Sequence, residues 1–579
     1  MVSESWREKK KSASRWFVHS RVSLWYDKGI TSVHNNAPEL NEVVRRRPPI
    51  YHERPNLPDI TFTALTETGR AESTIPVLKQ RSYTGNKPVI SSALTDTRCA
   101  ALGVDGILKR LNATLGTSYS LGSKVFSLWR KRTLRSILKP YVERNDDFGT
   151  VYSHLRSFWY DYDVAKIEDA LRVDEEQDTE MRKNVRAEDW IVTSDVPPRR
   201  PWIPRVKVIS HAWVDEKDRV DVTTPINGEE WPVPMPKDAD LDLIRIEMLN
   251  LGAEFAWLDV LCLRQEGGKG EDLRLEEWKL DVPTIGYLYQ YASVVCYFNG
   301  LGRPLHVTAG YFESDRCWFR RAWTLQEITR DPIIGGETGD DVTEDDVRKK
   351  FDEQLARLRE MRNFNTALEV VSEMQNRVSS KPVDKVAGLA YILQGTCIPI
   401  YNARMSDADA WEVLMDVMSP VSRSELFFYF PGAGNGRKYW RPSWQQILTM
   451  KYCLNSTISW VGTVKHDNTD EDYYVGYFID SADVRGLDEG LEEEKPRQGE
   501  MFFKTSAGIS CTFKIWADHA YRIPDGSYTV TSPNIPGPWV VGCLRENQEF
   551  KKLSVFCLAD KQQINTGALR LEKRKISLC

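Results

Sequence analysis

A chain of 579 residues exceeds what one hydrophobic core normally organises, so more than one packed region is expected. An apolar fraction of 41% excludes a chain that is disordered throughout, and 28% charged residues supply an ordinary solvated surface. The formal charge of -5 leaves no global positive field, which argues against nucleic acid or an anionic membrane as partner.

The start of the chain, from Met1 to Lys10, lacks the apolar stretch of a secretory signal, and no later run is long enough to span a bilayer. A cytoplasmic protein is therefore expected. Ten cysteines are scattered singly without a Cys-x-x-Cys pair, so reduced thiols are expected and no metal site. Residues 1–100 mix basic runs, Arg45 to Arg47 among them, with Thr-, Ser- and Pro-rich stretches, and read as a poorly ordered segment.

Residues 101–199 read as a helical flank and linker. Leu102, Ile107, Leu108, Leu111 and Leu115, then Leu134, Ile137 and Leu138, recur at helical spacing, and Pro197, Pro198 and Pro201 stiffen the boundary. From residue 200 strand and helix alternate. Val206 to Ile209 is a buried strand, and a helix carrying Leu241, Ile244 and Met248 stops at Gly252. Phe255 to Leu263 is a second strand, a helix with Ile285, Leu288 and Tyr289 follows, and Ser293 to Phe298 is a third strand. This order predicts parallel pairing in an open, flavodoxin-like α/β sheet. A fourth helix is expected over about Arg316 to Thr329, then a short Ile333-Ile334 strand. Residues 336–430 read as helical, and 431–579 as a β-rich region of short strands, with Asp488 to Arg497 as a charged linker.

Ligands of doubly wound sheets gather beyond the carboxyl ends of the strands. Three clusters fall there: Ser210-His211-Ala212-Trp213, Asp259 to Glu266, and Arg320 to Glu327. On a regular helix Arg320, Trp323 and Glu327 would share one face, offering a cation, an aromatic plane and a carboxylate.

These clusters resemble the fungal heterokaryon-incompatibility (HET) domain, with its Ser-His-x-Trp strand end, Trp-(Ile/Leu)-Asp-x-Leu-Cys-(Ile/Leu)-x-Gln segment and Arg-x-Trp-Thr-Leu-Gln-Glu helix. The likeness covers residues 200–335, with Asp384-Lys385-Val386 and Pro442-Ser443-Trp444 resembling elements found downstream in such proteins. It implies a TIR-like fold and a role in non-self recognition and regulated cell death. Trp323 to Glu327 further resembles the Trp-Cys-x-x-Glu motif of NAD-cleaving TIR proteins, with Thr324 in place of the Cys. On that likeness Glu327 is the catalytic residue, Ser210, His211, Trp213, Asp259, Arg320 and Trp323 bind substrate, and NAD is substrate rather than cofactor. Partners implied are a second copy of the chain and an upstream sensor protein.

Plainer readings stand beside these. Glu327 as a surface ion-pair partner of Arg320, Arg321 or Arg330 would contribute little, and the domain would then be a catalytically silent adaptor. His211 reads equally as a hydrogen-bonding core residue, and Asp259 as a carboxylate satisfied by backbone amides or a cation. Cys262 reads as core packing, and Gly432 to Gly436 as a plain turn, because no helix pattern follows it.

Overall fold

The computed structural model describes residues 60–63, 79–83, 88–122, 133–156, 159, 206–327, 331–338, 345–361, 366–393, 397–449, 462–466, 471–489, 496–505, 508–532, 538–546, 548–559 and 573–579. The basic clusters near the start of the chain and the proline-rich boundary lie outside them. The chain divides into two compact units, residues 1–191 with 198–356, and residues 192–197 with 357–579.

In the first unit, β1 (Ile60–Thr63) and β2 (Lys79–Tyr83) form an antiparallel pair that buries Phe62. Helices Cys99–Leu115, Leu134–Glu143 and Phe148–Leu155 follow, burying Ile107, Leu111, Leu115 and Leu138 at the expected spacing. The four-stranded parallel sheet runs in the order β6-β3-β7-β8, from β3 (Val206–His211), β6 (Phe255–Leu258), β7 (Ser293–Tyr297) and β8 (Ile333–Ile334). Between β3 and β6 lies an antiparallel hairpin that alternation did not announce, β4 (Arg219–Val222) with β5 (Val233–Pro236). Helix Leu241–Asn250 ends as its apolar pattern does, with Gly252 at φ 95°, a left-handed conformation that glycine adopts without a Cβ penalty.

Glu247 of that helix joins the β1–β2 pair to the sheet. Its carboxylate accepts Arg81 Nη1 at 2.9 Å, the Gly336 amide at 3.0 Å and the Tyr297 hydroxyl at 2.6 Å, so this buried charge is fully satisfied.

Two expectations fail here. The run Phe255 to Leu263 is not one strand: β6 stops at Leu258 and Asp259 opens a short helix, Asp259–Cys262. A wholly buried apolar run fits either geometry, and the Asp259 carboxylate takes its neighbour Val260's amide at 2.8 Å, which starts the turn. The helix expected over Arg316 to Thr329 is two separate 3₁₀ turns, Trp318–Arg320 and Trp323–Leu325, broken at Arg321, whose backbone is extended.

The second unit opens with helices Ala367–Gln375, Pro382–Leu393, Asp407–Val417, Pro420–Tyr429 and Trp444–Thr449. Its strands are β9 (Val464–His466), β10 (Asp472–Arg485), β11 (Arg497–Lys504), β12 (Ser510–Ala517), β13 (Gly526–Ser532), β14 (Pro538–Leu544), β15 (Phe550–Leu558) and β16 (Lys573–Leu578). Apart from one parallel contact of β15 with β16, the pairings are antiparallel, and they run β11-β12-β15-β14-β13-β10 and back to β11 through a β10–β11 pairing. The ring of six strands is thus closed, with β9 and β16 paired to β10 outside it, and its interior is filled by Val484, Met501, Ile515, Val530, Trp539, Val541 and Phe556. The carboxy-terminal region is therefore β-rich, as its short alternating segments predict. β10 is 14 residues long and carries a bulge between Ile479 and Ala482, with Ser481 at φ 59°, which bends it.

Asp472, at the start of β10 with a fully buried side chain, collects Lys438 at 2.9 Å, the Trp440 indole at 3.0 Å, Arg441 at 2.6 and 2.9 Å and His466 at 2.8 Å. The preceding glycine-rich loop is a turn that satisfies itself: the Gly434 amide donates to Tyr439 O and the Asn435 amide to Gln446 Oε1, so neither is presented to a phosphate. Among the described residues no helix is long and apolar enough to cross a membrane.

Candidate functional site

The strand order places β3 in the interior of the sheet with the chain leaving to β6 on one side and returning as β7 on the other. The crevice between the carboxyl ends of β3 and β7 is where such sheets bind ligands. Ser210 pairs there with Cys296, and His211 with Tyr297.

Ser210 is buried, and its hydroxyl donates to Glu327 Oε2 at 2.5 Å while accepting the Trp318 indole N–H at 2.7 Å. Residues far apart in sequence thus meet because the irregular connection between β7 and β8 folds back over the end of β3. Thr324 holds that connection in shape. Its hydroxyl lies 2.6 Å from Trp318 O and 2.9 Å from Arg321 O, so it serves carbonyls that the missing helix would otherwise have paired.

Glu327 is 8% exposed, so it is no surface ion-pair partner. Burial pushes its carboxyl above the ordinary carboxylate range, and the Arg321 guanidinium and Ser210 hydroxyl oppose that shift without cancelling it.

His211 Nε2 lies 2.8 Å from Asp259 Oδ1, and Nδ1 lies 3.2 Å from Ala212 O. Both ring nitrogens thus face oxygens, one of a carboxylate and one of a carbonyl. Burial acts to raise the Asp259 carboxyl, and the neighbouring His211, the Val260 amide and Arg321 together hold it below the usual range. The expected roles of Asp259 as a satisfied carboxylate and as a site residue are therefore compatible. Arg321 Nη1 donates to His211 O at 2.9 Å, tying this pair to the Glu327 side.

The Trp213 ring is half-buried and stacks on His211 at 5.9 Å and 21°. The Arg321 guanidinium lies over it at 5.7 Å and that of Arg219 at 5.3 Å.

Ser210, His211, Trp213, Asp259 and Glu327 are thus brought together, and two of the expected residues are placed otherwise. Arg320 turns away from Glu327, donating to Glu313 O and pairing with Asp315 at 3.2 Å. The error follows from the helical face: once the helix is two 3₁₀ turns, 100° per residue no longer holds, and the adjacent Arg321 is the cation of the site. Trp323 is half-buried in the second turn and does not share a helical face with Glu327. Trp318 is the residue whose indole reaches Ser210. Only the paired Arg320-Arg321 and the tryptophan density near them signalled these residues.

The Ser210 hydroxyl is bonded to Glu327 and Trp318 rather than to His211, so the cluster is not a serine nucleophile with a histidine base. Cys262 is no nucleophile either: burial pushes its thiol up to about 12. What the arrangement offers is a buried carboxylate beside a guanidinium, a histidine–aspartate pair and a tryptophan. No protein family, curated protein or solved structure matches this chain.

Proposed function

We propose that the first unit is a HET-type, TIR-like signalling domain that cleaves NAD to ADP-ribose and nicotinamide in the cytoplasm, as an effector of fungal non-self recognition and regulated cell death. The observation that carries the reading is the Glu327 carboxylate, buried at the carboxyl end of β3 and aligned by the Ser210 hydroxyl.

The chemistry needs little more. Nicotinamide leaves from a cationic pyridinium, taking the electrons of the N-glycosidic bond to its ring nitrogen, so no general acid is required. Water then bonds to the ribose C1′ and releases its proton. A carboxylate beside the ribose orients the hydroxyls and stabilises the oxocarbenium-like transition state. Fixing Glu327 in advance by Ser210, which Trp318 fixes in turn, supplies the preorganisation that such stabilisation demands. Self-association and an upstream sensor complete the proposal as the means of turning the site on.

A second reading, a catalytically silent adaptor, is favoured by the same contact seen from the other side: Oε2 of Glu327 is already engaged by Ser210. Incubation of the full chain with NAD, alone and with self-association forced by a fused dimeriser, separates the two. Nicotinamide release lost in Glu327→Gln supports the hydrolase; no release from the wild type in either state supports the adaptor.

A further inference from the structure

We propose that Arg219 is the phosphate-gripping residue of this site and that the ligand class it takes is a nucleoside diphosphate, whether free or as half of a dinucleotide. The inference rests on the reading of Glu327 as acting on such a substrate, and deepens it by assigning the other end of the molecule.

The resemblance makes Trp213 a substrate-binding residue. The structure gives it different work: its ring carries His211, Arg219 and Arg321, all three able to bear positive charge. A ring so occupied is a mount that fixes cations. Of the three, His211 is committed to Asp259 and Arg321 to the His211 carbonyl. Arg219 is different. Its backbone is fixed as the first residue of β4, paired with Pro236, yet among the described residues its guanidinium makes no hydrogen bond. Its one ion pair among the described residues is with Glu216 at 3.4 Å, a side chain that is 89% exposed, while the Arg219 side chain is 22% exposed.

A guanidinium that is mostly withdrawn from water, seated on an indole and held by one solvated carboxylate, has its donor fork to spare. Paired oxygens of a phosphate fit that fork in a bidentate way. The chain of contacts favours a diphosphate over a small anion. Arg219 and the Glu327 region are linked through Trp213 and Arg321, so a ligand serving both carries its charge one indole and one guanidinium away from its reacting carbon. In a dinucleotide the pyrophosphate is set apart from the ribose C1′ by the sugar and its 5′ carbon. Glu327 and Asp259, in turn, repel an anion from the reacting end.

The test is ADP binding to the full chain by calorimetry, with adenosine as the ligand that lacks the phosphates. ADP is expected to bind the wild type and to weaken as salt rises. Arg219→Gln should weaken ADP roughly tenfold or more, the loss of charged hydrogen bonds, and leave adenosine unchanged. Arg219→Lys, which keeps the charge without the fork, should fall between. Glu216→Ala removes the competing carboxylate and should tighten ADP, an arm that stands even where Arg219→Gln folds poorly. ADP binding by Arg219→Gln equal to wild type, an equal loss for adenosine, or no ADP binding by the wild type overturns the proposal. The hydrolase reading fails separately: should Glu327→Gln cleave NAD as fast as wild type while ADP still depends on Arg219, catalysis by Glu327 is wrong and the phosphate site stands.

Discussion

The Ser210 hydroxyl and the Glu327 carboxylate, 2.5 Å apart, are each other's nearest polar neighbour at the end of β3, although 117 positions separate them in the chain. Ser210 donates to Glu327 and accepts from Trp318, so it is the middle of a buried three-group relay. Ser210→Ala strips both contacts at once, leaving a carboxylate without its donor and an indole N–H without its acceptor. A loss of about 1–3 kcal/mol is expected in denaturant unfolding. In the double variant with Glu327→Gln the costs should be non-additive, because the two share one contact. Strict additivity would mean that the hydrogen bond does not couple them.

Glu327→Gln removes charge with little change in shape, so nicotinamide release should vanish while unfolding is nearly unchanged. The loss should fall on kcat, since the carboxylate acts on charge that develops only in the transition state. Its acid limb carries a sign. The working form is ionised, and burial, opposed by Arg321 and Ser210, raises this carboxyl above its ordinary value of 4.5. Activity should therefore fade as pH drops while ordinary carboxylates are still ionised. A limb centred below 4.5 would contradict that placement.

In the second unit, Asp472 is a fully buried anion with Arg441, Lys438, the Trp440 indole and His466 upon it. Burial acts to raise its carboxyl and Arg441 and Lys438 outweigh it, so the folded value is depressed. Its contribution is therefore present at neutral pH and lost as pH falls below the unfolded carboxylate range. Asp472→Ala removes the carboxylate on which Arg441, Lys438 and His466 converge, leaving Arg441 with Asp416 at 2.6 Å, and should cost about 3–5 kcal/mol. A melting temperature within a degree or two of wild type would show the cluster to be idle.

The sheet was largely legible before its coordinates. Val206 to Ile209, Ser293 to Phe298 and Ile333-Ile334 read as strands because both faces of a parallel sheet are covered, and covered strands are continuous apolar runs. The site was legible in its residues and not in its contacts. Ser210, Asp259 and Glu327 stand where strand ends were expected, but their junction depends on the connection over residues 316–327, where local hydrogen bonds from Thr324 override helical periodicity. Periodicity counts side chains, and it is blind to a hydroxyl that claims two carbonyls. Arg320 was chosen over Arg321 for that reason alone. In the second unit β9, β11, β15 and β16 went unseen, since charged positions interrupt their alternation.

Glu425 supplies the last prediction, a stability that falls as pH rises. Its side chain is buried on helix Pro420–Tyr429, and it accepts the Ala367 amide at the start of helix Ala367–Gln375, where a negative charge is favoured. Burial nevertheless dominates: against the Ala367 amide, and helped by the charge of Glu369, it raises the carboxyl from 4.5 to about 7. A folded value above the unfolded one means that the folded chain binds a proton the unfolded chain has released. The group's contribution is thus fully present below pH 4.5, declines from there to about 7 and is flat beyond. Glu425→Gln keeps an oxygen for the Ala367 amide and has no charge to bury. Other carboxylates titrate alike in both proteins, so the difference between them isolates this one. Urea unfolding should therefore find the variant close to wild type near pH 5 and about 2 kcal/mol more stable near pH 8. Parallel stability curves for the two proteins across that span would show that Glu425 stays ionised in the fold.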